Sequence, residues 1–129
     1  MARHLMVVLS NARPDREDEF NRWYDAHLVD TIDKLDGFAT GQRFERAALP
    51  DAPEMPYRYL AVYEVEEDRL EDAYAGFLHG RRDRAEAAAT GREPLVSVSD
   101  SLDPSTFLVG FFSATGEAQV SRRLLGSDR

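Results

Sequence analysis

Apolar residues recur with two different periods along the chain, and the change of period marks the predicted elements. Residues 4–10 are dense in valine, leucine and methionine without a turn residue, which predicts a first strand. From about Asp15 or Arg16 the period becomes close to 3.6, which predicts a helix that ends at Asp36-Gly37. The apolar face of this helix comprises Phe20, Trp23, Tyr24, His27, Leu28, Thr31, Ile32 and Leu35.

The rest of the chain continues with two strands, a helix and a strand. Residues 38–48 and 57–65 alternate with period two, which predicts a second and a third strand. A second helix is predicted over residues 66–89, and a turn-rich stretch, 90–105, leads to a fourth strand at 106–113.

The order strand, helix, strand, strand, helix, strand predicts an α+β fold of the ferredoxin-like type. In that fold, βαββαβ, two helices cover one face of a four-stranded antiparallel sheet. We expect one such domain over residues 1–116, followed by a polar C-terminal tail at 117–129.

The helices leave one face of the predicted sheet uncovered. We expect this open face to carry Tyr57, Tyr59, Tyr63 and Val65, together with phenylalanines of the second and fourth strands. So much apolar surface is unfavourable in water. We therefore expect a homodimer in which a second copy of the sheet covers the open face.

Composition and charge exclude several function classes. The 129 residues contain no cysteine, which excludes disulfides, thiolate metal sites and cysteine nucleophiles. The net charge of −8 argues against a nucleic-acid partner, because binding phosphates requires a basic surface. We interpret the one basic run, Arg81-Arg82-Asp83-Arg84, as a solvated helix face. No apolar stretch approaches the ~18 residues of a membrane span, so we expect a cytoplasmic protein without a membrane partner.

His27 is the first candidate for chemistry. Trp23 and Tyr24 precede it by four and three residues, so the three side chains share one helix face. An imidazole with an ordinary pKa near 6.5 suits general acid/base catalysis. Burial among the aromatic rings should lower this pKa, and Asp30 or Asn11 is the expected orienting partner. The alternative interpretation is a structural histidine that bonds to backbone or water.

The other candidates surround His27 or lie on the second helix. Tyr24 and Tyr63 are candidate catalytic residues that donate a hydrogen bond to a carbonyl or phenolate oxygen, or else half-buried core tyrosines. The candidate substrate-binding residues are Phe20, Trp23, Asn11 and His79. No metal-ligand spacing and no glycine-rich phosphate motif occurs, so we expect neither a metal nor an organic cofactor.

One segment resembles a known family. Phe20-Asn21-Arg22-Trp23-Tyr24-Asp25-x-His27-Leu28-x-Asp30, followed by Leu35-Asp36-Gly37-Phe38, resembles the EthD-like branch of the dimeric α+β barrel superfamily. The chain departs from the family motif at Val29 and Asp36, where proline is usual. The resemblance implies a pocket between the sheet and the first helix, often with a histidine as the acid/base. It does not fix the reaction, since relatives include cyclases, isomerases, cofactor-free monooxygenases and haem-degrading proteins.

The leading hypothesis is a cofactor-independent enzyme of the cyclase, isomerase or lyase type. Its substrate would be small, apolar, and enolisable or aromatic, with His27 as general base and acid. Cofactor-free monooxygenase chemistry is an alternative. A rival from another class is a non-catalytic accessory protein that binds a small molecule or haem, in which His79 or His27 would be the iron ligand.

Overall fold

The protein folds as a four-stranded antiparallel sheet with two long helices. The structure is a computed structural model that describes residues 3–126. Its elements are β1 (His4–Ser10), α1 (Glu17–Lys34), β2 (Phe38–Glu45), β3 (Tyr59–Val65), α2 (Leu70–Thr90), β4 (Leu108–Ser113) and α3 (Arg122–Leu125). The strand order is β2-β3-β1-β4. This confirms the predicted α+β, ferredoxin-like fold.

Several element boundaries differ from those predicted, and turn residues explain two of them. The predicted second helix begins four residues late, at Leu70, because Asp68 has φ +62° and Arg69 N–H donates to the Glu66 carbonyl in a turn. The fourth strand begins at Leu108, because Pro104–Thr106 forms a 3-10 turn capped by the Asp103 side chain. β2 and β3 are shorter than predicted, with bounds Phe38–Glu45 and Tyr59–Val65.

Gly37 fixes the turn between α1 and β2. Its φ is +93°, and a Cβ added there would lie 2.6 Å from the backbone nitrogen of Ala73 in α2. Only glycine fits both the left-handed backbone and this close approach. The Asp36-Gly37 signal in the sequence therefore also determines how closely α2 approaches the end of α1.

The core lies between the sheet and α1, and it corrects the prediction for the open face. Tyr59, Tyr63 and Val65 are buried on the helix-covered side, where Tyr59 packs 5.0 Å from the ring of Phe20. The prediction placed them on the opposite side. The aromatic rings of α1 pack against the bulky side chains of β3. These side chains alternate along the strand, so they all lie on the face that α1 covers.

The open face carries a different set of apolar side chains. The strand registers align three rows across the sheet, with Leu9 between Leu108 and Leu60, Val7 between Gly110 and Val62, and Leu5 between Phe112 and Glu64. Phe44 and Phe112, from β2 and β4, are exposed on this face, as expected. The expectation was wrong for Phe38, which is buried in the core, and for Phe111, which packs against the core on the helix-covered side. The apolar residues of this open face are Leu5, Val7, Leu9, Phe44, Leu60, Val62, Leu108 and Phe112.

The chain beyond β4 lies largely outside the core. The described part of the predicted tail, 117–126, is mostly exposed and contains α3. Residues 127–129 of the tail and residues 1–2 of the predicted domain lie outside the described residues. None of the helices within residues 3–126 is both long and apolar enough to span a membrane.

Candidate active site

A cavity of ≈ 280 Å³ lies between α1, α2 and the covered face of the sheet. The segment between α2 and β4 closes one side of it. Its lining is largely apolar, with a few polar groups from the helices and β3. The lining residues are Met6, Val8, Trp23, Tyr24, His27, Thr31, Leu35, Tyr63, Phe77, Gly80, Arg81, Arg84, Val96, Val98, Leu102, Pro104 and Phe107.

Four of the residues predicted from the sequence meet in this cavity: Trp23, Tyr24, His27 and Tyr63. The His27 ring centroid lies 4.7 Å from that of Trp23 and 5.4 Å from that of Tyr24, with the tyrosine ring perpendicular to the imidazole. The spacing of three and four residues along α1 produces this cluster. The imidazole is half-buried among the rings.

The backbone carbonyl of Ser97 orients His27. It accepts a hydrogen bond from His27 Nδ1 at 3.0 Å and a second from Trp23 Nε1 at 3.2 Å. Because a carbonyl oxygen only accepts, Nδ1 of the neutral imidazole carries the proton and Nε2 keeps its lone pair. The sequence suggested Asp30 or Asn11 for this role. Asp30 instead pairs with Lys34 at 3.7 Å, so that orienter was wrong.

Burial keeps the imidazole neutral. It lowers the pKa of His27 to about 4, and the positive charge of Arg84 adds to this effect. The Ser97 carbonyl and the charge of Asp30 oppose it without overcoming it. The direction is the one expected from the aromatic neighbours of His27, since apolar surroundings disfavour the imidazolium. At neutral pH the side chain is therefore a free base.

Tyr24 and Tyr63 add two protonated phenols. Both side chains are almost completely buried, and they interact with one another. Burial raises the pKa of Tyr24 well above its usual value and raises the pKa of Tyr63 to about 12. The two hydroxyl groups therefore remain hydrogen-bond donors across the physiological pH range.

Arg43 supports the aromatic cluster from the opposite side and was not singled out from the sequence. Its guanidinium lies 4.8 Å from the Tyr24 ring centroid and donates to the Asp25 carboxylate at 2.8 Å and to Asn21 Oδ1 at 2.7 Å. This cation–π and hydrogen-bond arrangement holds α1 against β2. A single arginine in a strand gives no sequence signal of a partner 18 residues earlier in the chain.

The basic run on α2 is only partly a solvated face. Arg84 is half-buried and lines the cavity with Arg81, whereas Arg82 is exposed. The Asp83 carboxylate accepts hydrogen bonds from Leu95 N–H at 2.7 Å and from Arg92 Nη2 at 2.9 Å. The interpretation as a solvated face was therefore wrong for Asp83 and Arg84. The sequence did indicate the inward position of Arg84, because this residue continues the helical period of the inward-facing positions of α2.

Three predicted substrate-binding residues do not line the cavity. Phe20 is fully buried beneath it and packs on Tyr59. The Asn11 amide donates to the Pro56 carbonyl at 2.9 Å and accepts from Arg58 N–H at 2.7 Å, which fixes the loop before β3. His79 is exposed on α2.

No group of three or more histidine, aspartate or glutamate side chains that could hold a metal ion occurs within residues 3–126. The polar side-chain groups that line the cavity are instead an imidazole, an indole N–H, two phenols, a threonine hydroxyl and two guanidinium groups.

Three solved structures are similar to this chain at low sequence identity. The At3g17210 protein of Arabidopsis thaliana is 15% identical, with a TM-score of 0.54 over 90% of this chain and 99% of that one. A monooxygenase candidate from Shewanella loihica PV-4 is 12% identical, with a TM-score of 0.48 over 91% and 99%. A MhuD variant with two manganese protoporphyrin IX molecules per active site is 14% identical, with a TM-score of 0.49 over 91% and 99%.

The similarity to the At3g17210 protein concerns the fold alone. No protein-family model matches the sequence, and no curated protein matches it.

Proposed function

We propose that this protein is a cofactor-independent enzyme in which His27 removes a proton from a small enolisable or phenolic substrate and later returns it. The observation that carries the proposal is the state of His27. Its imidazole lines an apolar cavity, and the Ser97 carbonyl holds it by Nδ1–H at 3.0 Å, which leaves the lone pair on Nε2. A neutral, oriented imidazole is the resting form that a general base requires.

The low pKa of His27 restricts the substrates that suit this site. A base with a pKa of about 4 accepts a proton only from an acidic group, or where the resulting anion is strongly stabilised. Each pKa unit of mismatch costs about 1.4 kcal/mol. Doubly activated carbons and phenols therefore suit the site better than simple ketones.

Tyr24 and Tyr63 are the proposed stabilisers of that anion. Both hydroxyl groups stay protonated, and both residues line the same cavity as His27. Tyr24 hydrogen-bonds to Tyr63, and Tyr63 also to Thr31, so the substrate oxygen would replace one of these partners. A hydrogen bond from a phenol to a developing oxyanion in an apolar site becomes stronger as negative charge accumulates on the oxygen. Trp23 and Phe107 would form apolar walls around the substrate.

The reaction proposed is a cyclisation, isomerisation or lyase step, because each begins with proton transfer at an activated carbon. Membership of the EthD-like branch is part of the same proposal. It is supported by the residues of the matching motif, since Trp23, Tyr24 and His27 all line the cavity. A cofactor-free monooxygenase would use the same base to form a substrate anion that reacts with dioxygen, so it remains the alternative reaction.

Incorporation of solvent deuterium tests the proposal before a natural substrate is known. A panel of 1,3-dicarbonyl compounds and hydroxyaromatic ketones would be incubated in D₂O with the protein, and exchange at the acidic carbon followed by NMR. We expect exchange above the buffer rate with wild type, and at least about 100-fold less with His27→Gln, in line with the usual contribution of a general base.

His79→Gln is the matched control, because His79 is exposed and does not line the cavity. It should retain wild-type exchange. Equal exchange by wild type and His27→Gln across the panel would rule out His27 as the base.

We also propose that the open face pairs with the same face of a second copy. One row across this face, which joins Leu108, Leu9, Leu60 and Phe44, is apolar throughout, and Phe112 and Leu108 are 59% and 52% exposed. Exposed apolar side chains of this kind suit a self-complementary contact between two copies. Val62→Lys in the central row should convert a dimer to a monomer in analytical ultracentrifugation. Asp33→Asn adds the same charge on the exposed side of α1 and should leave the dimer intact. A wild-type monomer at high concentration would reject the proposal.

The rival function, binding of a small molecule or haem without turnover, is favoured by one observation. A neutral histidine with a free Nε2 beside an apolar cavity is also the form that can ligate haem iron. His79, the other ligand considered from the sequence, is exposed outside this cavity. Titration with haemin should then give a Soret shift that His27→Gln abolishes, with no deuterium exchange in the panel.

A further inference from the structure

The cavity carries positive charge in an acidic protein. The chain has 24 aspartate and glutamate residues against 16 lysine and arginine residues. Yet the charged side chains in the cavity lining are Arg81 and Arg84, and no carboxylate of the described residues belongs to that lining. Across residues 3–126, the two guanidinium groups have no carboxylate beside them in the lining. We therefore expect a bound ligand to supply the anion.

Arg84 has unused hydrogen-bonding capacity in this position. Its one hydrogen bond within the described chain goes from Nη1 to the Val96 carbonyl at 3.3 Å. The adjacent Asp83 carboxylate is already bonded to Leu95 N–H and Arg92. A guanidinium has five N–H donors, so most of those of Arg84 remain available.

Burial makes this arrangement costly without an anion. It lowers the pKa of Arg84, the like charge of Arg81 lowers it further, and the charge of Asp83 opposes both without overcoming them. A half-buried cation without a paired anion is unfavourable, because the cavity replaces part of its hydration. A bound carboxylate would remove that penalty and could accept two parallel hydrogen bonds from the guanidinium.

The backbone places Arg84 close to His27. Arg84 donates to the carbonyl of Val96, and His27 donates to the carbonyl of Ser97, the next residue. The charge of Arg84 also acts on the imidazole. A ligand bonded to Arg84 through one end would lie in the cavity that His27 also lines, together with the apolar side chains of Val98 and Phe107.

We propose that Arg84, assisted by Arg81, binds a carboxylate of the substrate, which makes the substrate an aromatic or enolisable carboxylic acid. The proposal deepens the proposed function and rests on it for the identity of the reacting group. Arg84 acts here as a specificity-determining residue, and His27 remains the base.

The test compares carboxylic acids with their neutral amides. Benzoate, phenylacetate and 2-hydroxybenzoate would each be titrated against the wild-type protein beside the matching carboxamide, with isothermal titration calorimetry as the readout. Quenching of Trp23 gives a second readout, because it is the single tryptophan of the chain and lines the cavity. We expect at least one acid to bind about tenfold more tightly than its amide, the size expected for a charge-assisted hydrogen bond.

Three variants assign the preference to its residue. Arg84→Gln should reduce the ratio of acid to amide affinity to within about twofold, and Arg84→Lys should retain part of it because the charge remains. Arg82→Gln removes the same charge from an exposed position on α2 and should retain the full ratio. Equal binding of acids and amides, no acid binding across the panel, or an unchanged ratio in Arg84→Gln would each overturn the proposal.

Binding is measured here without turnover, so the two proposals can fail separately. Acid preference through Arg84, with no His27-dependent deuterium exchange, would support the carboxylate site and reject the enzyme. His27-dependent exchange without any preference for acids would reject the carboxylate site alone.

Discussion

Replacing His27 with glutamine should make the free energy of unfolding depend less on pH. The folded protein disfavours the imidazolium, with a pKa of about 4 for His27 against an ordinary value of 6.5. The unfolded chain therefore binds a proton at higher pH than the folded chain does. Protonation of the unfolded chain lowers the free energy of unfolding as pH falls below 6.5, and this loss is complete below about pH 4.

The size of the effect follows from the two pKa values. A change from 6.5 to about 4, at about 1.4 kcal/mol per pKa unit, corresponds to roughly 3 kcal/mol in total. Roughly 2 kcal/mol of this is lost between pH 7 and pH 5, because the unfolded histidine is then mostly protonated and the folded one is not. Hydrogen bonds lower the pKa values of Asp100 and Asp103. Protonation of these carboxylates therefore reduces the free energy of unfolding only at lower pH than the titration of His27.

Urea unfolding at pH 7, 6 and 5, at one protein concentration, measures this loss. The wild-type free energy of unfolding should fall by roughly 2 kcal/mol more than that of His27→Gln between pH 7 and pH 5. Glutamine can still donate to the Ser97 carbonyl but does not titrate. The exposed His79→Gln variant should behave like wild type. Parallel pH profiles for wild type and His27→Gln would refute the burial of the imidazole.

Two further substitutions test how the surrounding structure supports the site. Gly37→Ala should destabilise the protein by more than about 2 kcal/mol in thermal or urea unfolding, because φ is +93° and the new Cβ would clash with Ala73. Gly80→Ala should be neutral or stabilising by up to ~1 kcal/mol, since its Cβ would meet Leu35 at an ordinary 3.4 Å; equal losses for both variants would contradict the packing described. Asp83→Ala removes the acceptor for Leu95 N–H, which should loosen the segment that holds His27. The pKa of His27 should then rise toward 6.5 in an NMR titration. An unchanged pKa would mean that other contacts hold the segment.

The fold and part of the site could be predicted because local patterns encode them. The helical spacing of Trp23, Tyr24 and His27 places the three rings on one face whatever the rest of the chain does. Likewise, the Asp36-Gly37 turn and the period-two strands specify the order of elements. These signals depend on neighbours within a few residues.

Other parts of the site depend on contacts between distant segments. The hydrogen bond from His27 to the Ser97 carbonyl joins residues 70 positions apart, and a backbone acceptor has no side-chain signature in sequence. The face assignment of Tyr59 and Tyr63 was wrong because an alternating strand does not reveal which of its two apolar sides the helices cover. Arg84 was assigned to the surface by its charge, although its position on α2 continues the inward-facing period.

The central claim is that His27 is a neutral imidazole sheltered in the cavity, with its proton on Nδ1. A ¹⁵N-resolved NMR titration of the histidines measures both properties in one experiment. We expect His27 to carry its proton on Nδ1 at pH 7 and to titrate well below the ordinary value of 6.5, near the pKa of about 4. A histidine that titrates at or above 6.5, or one that carries its proton on Nε2 at pH 7, would contradict the sheltered base on which the proposed chemistry depends.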